Sequence, residues 1–404
     1  WDDTAQLWRV TVRESSGATR EFTTNAVITG VGLLNRPSVP NIPGIADFAG
    51  PQMHTAAWDN SVDLTGKRVV VIGTGASAMQ LVPAIAERVT HVTVFQRSPQ
   101  WGLPNDNYMR ETSDATRTLM AVVPYYLAWY RLRLVWNFGD RLYPALQIDP
   151  NWTHPERAVN RSNDRHREYL TDYIRTELGE RTDLLDKCLP SYPPYGKRPL
   201  LDNGWFRTMC RDDVTLVTES VAEVRPNSVV DADGIEYPAD VLVLATGFHA
   251  VRVLGPMEVR GRSGRTLRET WGEDDARAYL GVTVPDFPNF FMLLGPNTFA
   301  AHGGSAALTI EMEVRYVMSL LQVLATGDVS SVEVRGEVHD GYDKQLSDAL
   351  QSTIWSHPGM STYYRNARGR IVIPMPWTNV EYWHMTHQVD PSDFHLVPAK
   401  VTAG

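Results

Sequence analysis

From Arg68 the chain runs Val-Val-Val-Ile without a polar side chain and then breaks into Gly73-Thr-Gly-Ala-Ser-Ala78, and a second apolar-rich run spans residues 91–96. Short apolar runs of this kind, one of them closed by glycine, suit strands buried on both faces of a parallel sheet. Residues 76–88 between them read as a helix, so the stretch predicts a compact βαβ unit. Upstream, residues 7–12 and 20–31 alternate in part around the turn-rich segment 14–18, which predicts a β-hairpin or meander leading into a Pro-rich connector at 35–43. From 110 to about 186 the period lengthens to three and four residues around Tyr125, Trp129, Leu132 and Trp136, predicting helices. After the Pro-rich break at 190–194, strand-like runs return at 214–217, at 240–245 ending in Ala-Thr-Gly-Phe, and at 290–294 ending in Gly-Pro-Asn-Thr. A helix over about 306–324 follows. Strands that end in small residues and glycine suit ligand loops at the carboxyl edge of a sheet.

Length changes this picture only by allowing two or three domains in 404 residues. With 43% hydrophobic and 21% charged residues the chain reads as globular. A net charge of -9, without a cluster of Lys and Arg interleaved with aromatics, argues against nucleic acid as a partner. Cys188 and Cys210 are too far apart for a Cys-x-x-Cys motif and read as plain thiols in a reducing compartment. The chain opens without an initiating Met or a basic-then-apolar leader, and its most apolar window, 118–138, is interrupted by Pro124, Arg131 and Arg133. A buried or interfacial helix is therefore expected there rather than a membrane span, and the expected location is cytoplasmic.

The glycine turn carries the clearest chemistry. In G-x-G-x-x-A, Gly73 makes the tight turn, Gly75 lets the backbone approach a pyrophosphate, and Ala78 allows close helix packing. Thr74, Ala76 and Ser77 complete a helix start whose free N–H groups and partial positive charge suit phosphate. An NAD-preferring protein places an acid after the second strand, whereas this sequence has Gln96-Arg97-Ser98. A guanidinium offers donors only and attracts a 2′-phosphate, so NADPH is the expected nucleotide. No Ser-His-Asp, Cys-His or metal-ligand pattern stands out.

Just upstream, Phe48 to Asp59 reads FAGPQMHTAAWD, which fits F-x-G-x-x-x-H-x-x-x-W-D at every fixed position. This resembles the fingerprint of Baeyer-Villiger monooxygenases, flavoproteins that use NADPH and oxygen to turn ketones into esters or lactones. The resemblance runs over residues 25–310: FQRSPQW resembles the family's phosphate-reading strand end, GKRPLLDNGWF its active-site stretch, and ATGF, GPNT and HGGS its flavin-side loops. The ending YYRNARGRIVIPMPWTNVEYW resembles the hydroxyacetophenone-oxidising branch in particular.

The resemblance implies an α/β fold with two dinucleotide-binding domains and a helical insertion. It implies FAD and NADPH as cofactors, a ketone and molecular oxygen as substrates, and a peroxyflavin route. Arg198 would supply the fixed positive charge that keeps the flavin peroxide deprotonated, and Lys197 would join Arg97 and Ser98 at the 2′-phosphate. Thr246, Gly247, Phe248 and Asn297 would lie beside the flavin, as would the loop that carries His302. Phe48, Gly50, His54, Trp58 and Asp59 would couple domain positions, with His54 and Trp58 on one face of a helical turn. Residues 1–59 would be a remnant of the FAD domain, 60–200 the NADPH domain with its insertion at about 110–186, and 201–404 the return strands and the C-terminal part of the FAD domain.

The family's N-terminal flavin-binding G-x-G-x-x-G has no counterpart here, so the expected fold lacks the N-terminal part of the FAD domain. A fragment, a truncated product and one piece of a split protein with a complementary chain all fit. Tyr363-Tyr364 stands where many relatives have Trp-Tyr. A heteroatom-oxidising flavin monooxygenase and a catalytically silent NADP-binding module remain alternatives.

Overall fold

The computed structural model describes residues 1–301 and 303–399, which leaves His302 outside the described residues. The chain forms two compact units, one from Arg36–Leu132 and Asp149–His249, the other from Trp1–Asn35, Arg133–Ile148 and the residues from Ala250 onward.

In the first unit a five-stranded sheet has the order Gln52–His54, Val241–Leu244, Arg68–Ile72, His91–Phe95, Val214–Val217, and every pairing is parallel. The three central strands are nearly all buried, as continuous apolar runs require when both faces are covered. The Ala76–Ile85 helix follows the glycine turn and ends two residues after Pro83. Residues 36–59, grouped by the sequence with the flavin-domain remnant, belong to this unit because the 52–54 strand hydrogen-bonds beside 241–244. A three-stranded antiparallel sheet, Val221–Arg225, Ser228–Asp231 and Glu236–Pro238, also packs here, its short and partly charged strands giving no clear period.

In the second unit the hairpin expected near the start forms, Trp8–Arg13 against Thr19–Thr24. The longer run splits, however. Val27–Thr29 leaves the hairpin and pairs in parallel with Phe290–Met292. Asn289 secures that junction: its Nδ2 donates to the Asn25 carbonyl at 2.8 Å and the Ser330 carbonyl at 3.0 Å, while its Oδ1 accepts from the Val332 N–H at 2.8 Å. The Ala306–Ala325 helix, capped by the Ser305 hydroxyl, and the Gly336–Gln351 helix also belong to this unit, as does the antiparallel pair Val329–Val334 and Phe394–Pro398.

The helical stretch corrects one expectation. Helices form over Asp114–Val122, Tyr126–Phe138 and Arg161–Leu178. Yet Tyr125, Trp129, Leu132 and Trp136, around which that period was read, are exposed, so of the buried or interfacial helix expected there it is the buried alternative that is corrected. The three-and-four spacing reported helix but not burial. Among the described residues, no helix is long and apolar enough to cross a membrane.

Candidate functional site

Because all five strands of the parallel sheet run one way, the segments after His54, Ile72, Phe95 and Leu244 leave by its carboxyl edge. That edge therefore collects the second half of the fingerprint, from His54 to Asp59, with the glycine turn, Arg97-Ser98 and Thr246-Gly247-Phe248, whereas Phe48 and Gly50 precede the 52–54 strand and lie at the opposite edge. Ligands bind at the carboxyl edge in open α/β sheets.

Gly73 has φ 111°, and a Cβ there would collide with the Ala245 carbonyl. Its N–H donates to the Phe95 carbonyl at 2.9 Å, locking the turn between two strands. Gly75 differs. It precedes the helix without any side-chain cap, and the space where its Cβ would project is open. The helix start thus keeps bare backbone donors, and a pyrophosphate fits there. Ala78 is fully buried, as close packing requires. The Thr74 hydroxyl donates to the Ser98 carbonyl at 3.1 Å, which joins the turn to the second strand end. Gly73→Ala is expected to cost at least about 2 kcal/mol, because positive φ and backbone collision act together. Thermal unfolding measures it, and a loss below about 0.5 kcal/mol would show that the turn relaxes.

Arg97 is exposed and Lys197 half-buried. The Lys197 ammonium donates to the Ser98 hydroxyl at 2.8 Å, so residues 99 positions apart in sequence meet at one strand end. Burial, then the positive charge of Arg97, pushes the Lys197 ammonium down to about 8. Neither cation forms an ion pair with a carboxylate among the described residues. Two cations that repel each other without a counterion suit a dianionic phosphate group.

Arg198 follows Lys197 and is half-buried, separated by Pro199 from the Leu200–Leu201 strand that pairs in parallel with Gly102–Leu103. That pairing fixes its backbone relative to the strand end that carries Arg97. Nearby, Cys188 is a buried free thiol that desolvation pushes up to about 12, a structural rather than a reactive state.

The fingerprint residues have identifiable physical tasks. Phe48 packs against the apolar cluster that includes Val70, Phe95 and Leu242. Gly50 lies so close to the Asp240 backbone that a Cβ would strike its carbonyl. His54 Nδ1 accepts the Ala56 N–H at 3.0 Å, so Nε2 carries the proton and donates to the Gly247 carbonyl at 3.1 Å. Burial holds the ring below the ordinary His range, in keeping with this neutral form. The expected helical turn is corrected here: His54 ends a strand, Thr55–Ala57 is a 3-10 turn, and Trp58 is extended. Asp59 is exposed and accepts from the Ser61 N–H and hydroxyl, a local turn that fixes where the chain leaves the motif.

The Thr246–Phe248 loop is held from the same side. Thr246 donates to the Ser38 carbonyl at 2.6 Å, the Gly247 carbonyl also accepts the Ser38 N–H at 2.8 Å, and the Phe248 ring meets the His54 ring edge-on at 5.8 Å. Gly247 has φ 80° and opens onto free space.

Asn297 lies in the other unit. Its Nδ2 donates to the Ile371 and Pro374 carbonyls, both at 3.1 Å, so it ties down the 371–374 segment. Its Oδ1 is buried without a partner among the described residues, an acceptor that a cofactor N–H or O–H would satisfy. The bare backbone donors and the two cations of the first unit thus fit the phosphates of a dinucleotide. Sequence reasoning missed Glu313, buried on the Ala306–Ala325 helix, whose Oε2 accepts the Leu294 N–H at 2.7 Å beside the Gly-Pro-Asn-Thr turn. The available signal was an acid spaced four residues from Thr309 and Val317, on the buried face of the helical period.

Comparison with known proteins gives the context. Residues 9–123 match the pyridine nucleotide-disulphide oxidoreductase family. The chain is 45% identical over 398 residues to an uncharacterized monooxygenase, y4iD, of Sinorhizobium fredii, covering 98% of this chain and 60% of that one. It is 35% identical to the FAD-binding monooxygenase ktnD of Aspergillus niger, covering 98% of this chain and 64% of that protein. The chain therefore spans less than two thirds of the length of these two relatives. A solved cyclohexanone monooxygenase from Rhodococcus sp. Phi1, bound to NADP+, superposes with a TM-score of 0.80 at 25% identity, over 98% of this chain and 78% of that one. A Baeyer-Villiger monooxygenase of Streptomyces coelicolor is 32% identical over 413 residues, which span the whole of this chain and 74% of that protein. With that shared length and an intact fingerprint, the chain belongs to the Baeyer-Villiger monooxygenase family.

Proposed function

We propose that this chain binds NADPH at the carboxyl edge of its parallel sheet and serves an FAD-dependent enzyme that inserts oxygen beside the carbonyl of a ketone. The observation that carries this reading is the uncompensated pair Arg97 and Lys197 beside an uncapped helix start, one arrangement for both phosphate groups of NADPH. The NADP+ in the solved cyclohexanone monooxygenase and the FAD-binding nature of the Aspergillus relative support it.

Within this reading each residue has a task. Gly73, Gly75 and Ala78 bring the backbone donors of Ala76 and Ser77 to the pyrophosphate. Arg97, Ser98 and Lys197 hold the 2′-phosphate. Thr246, Gly247 and Phe248 border the flavin. Arg198 contributes a fixed positive charge that favours anionic oxygen during the reaction. Held by these residues, NADPH would supply the reducing equivalents and FAD the oxygen-activating chemistry. His54, held neutral between two backbone partners, passes any shift of the 52–54 strand to the Thr246–Phe248 loop.

The first test is nucleotide selectivity. Arg97→Ala is expected to weaken NADP+ about tenfold or more while changing NAD+ less than twofold, read by calorimetric titration. Equal losses would remove Arg97 from the phosphate site. The second test is product analysis of FAD-supplemented protein offered a ketone and a sulfide. An ester or lactone supports carbonyl insertion, and sulfoxide alone would replace it with heteroatom oxidation.

A further inference from the structure

Lys197 lies against an aromatic ring. Its ammonium sits 4.6 Å from the centroid of Tyr192, and the same nitrogen donates to Ser98. The ring is anchored on several sides. Tyr192 is buried, its hydroxyl donates to the Pro99 carbonyl at 3.1 Å and lies 3.3 Å from Gln100 Oε1, and its carbonyl accepts from Trp101 Nε1 at 3.0 Å and from Arg167 at 3.2 Å. The Arg167 guanidinium in turn lies 5.3 Å from the centre of the Trp101 ring. These contacts tie the 190–197 segment to the strand end after Phe95.

The physical consequence turns on what an aromatic face can and cannot do. A carboxylate beside Lys197 would hold the ammonium, but it would also cancel the charge and occupy its donors. A π-face attracts the cation through its quadrupole while leaving the full positive charge for a ligand. It also resists the repulsion from Arg97 that would otherwise push Lys197 outward.

We propose that Tyr192 is a positioning residue for nucleotide selectivity, its ring holding the Lys197 ammonium uncancelled at Ser98 so that it meets the 2′-phosphate of NADPH. This rests on the reading of Lys197 as a 2′-phosphate ligand. Tyr192 touches no nucleotide in this scheme and acts only through Lys197.

The test uses the full chain and two probes, adenosine 2′,5′-bisphosphate and 5′-AMP, titrated calorimetrically. Tyr192→Phe keeps the ring and is expected to bind both probes within twofold of the parent. Tyr192→Leu keeps bulk without a π-face and is expected to weaken the bisphosphate about three- to thirtyfold, with 5′-AMP within twofold. Since Tyr192→Leu could disturb a buried site, phenylalanines with one, two and three ring fluorines at position 192 provide a series of nearly constant shape. Bisphosphate affinity is expected to fall stepwise as fluorine drains the ring face, with 5′-AMP unchanged. A flat fluorine series, or parallel losses of both probes, overturns the role of Tyr192 even where the parent prefers the bisphosphate. A parent that binds both probes equally instead overturns the 2′-phosphate reading, and the present inference with it.

Discussion

Lys197→Met is expected to make the ligand-free protein more stable and its nucleotide binding worse. With the ammonium held near 8 against an ordinary 10.5, the folded state binds fewer protons than the unfolded state between those values. Stability of the ligand-free protein therefore rises with pH across that window, and below it the buried charge carries its full cost. Removing the charge is expected to gain about 2 kcal/mol at pH 7 and to flatten the rise between pH 8 and 10.5. The same substitution removes a charge-assisted contact to the phosphate, so adenosine 2′,5′-bisphosphate is expected to bind about 30- to 100-fold more weakly. Denaturant unfolding at several pH values and calorimetric titration check the two halves. A variant that loses stability at pH 7 and keeps its affinity would show that Lys197 is a structural contact.

Glu313→Gln is expected to raise stability by an amount that grows with pH. The carboxyl is fully buried, and burial pushes it up to about 7, while the hydrogen bond from the Leu294 N–H acts the other way. Between the ordinary 4.5 and about 7 the folded state holds a proton that the unfolded state releases. Its stabilising contribution is thus complete below 4.5 and is lost as pH rises through 7. Glutamine keeps an oxygen for the Leu294 N–H and carries no charge. It is expected to match the parent near pH 5 and to exceed it by about 3 kcal/mol at pH 8. Chemical unfolding at both pH values decides, and parallel pH profiles for parent and variant would assign the titration elsewhere. The effect bears on function because Leu294 and Asn297, with φ 54° and 58°, hold the Gly-Pro-Asn-Thr turn in left-handed backbone that needs such anchoring.

The network around Arg370 shows the same dependence on distant partners. Its guanidinium donates to Asp275 at 3.2 Å and to Asp343 at 3.0 Å, and Arg277 pairs with the same two carboxylates. Nothing in the local pattern around Gly-Arg370-Ile distinguishes it from a solvated arginine, because the carboxylates arrive from segments 27 and 95 positions away in sequence.

By itself the sequence determined what nearest neighbours along the chain can impose. The triple-valine strand, the glycine turn, the following helix and the next strand were readable because burial on both faces and a tight backbone turn each restrict residue type locally. The fingerprint was readable as a pattern, whereas the reason for its glycine, the close approach of the Asp240 backbone to Gly50, came only from the fold. Tertiary structure alone decided the sheet order, the departure of Val27–Thr29 to a partner some 260 positions away, and the exposure of Trp129 and Trp136. It also decided that Lys197 reaches Ser98 across the face of Tyr192. The physical reason is that periodicity reports which side of an element is apolar. Which distant strand, ring or charge meets that side is settled only when the packed chain closes loops of a hundred residues or more.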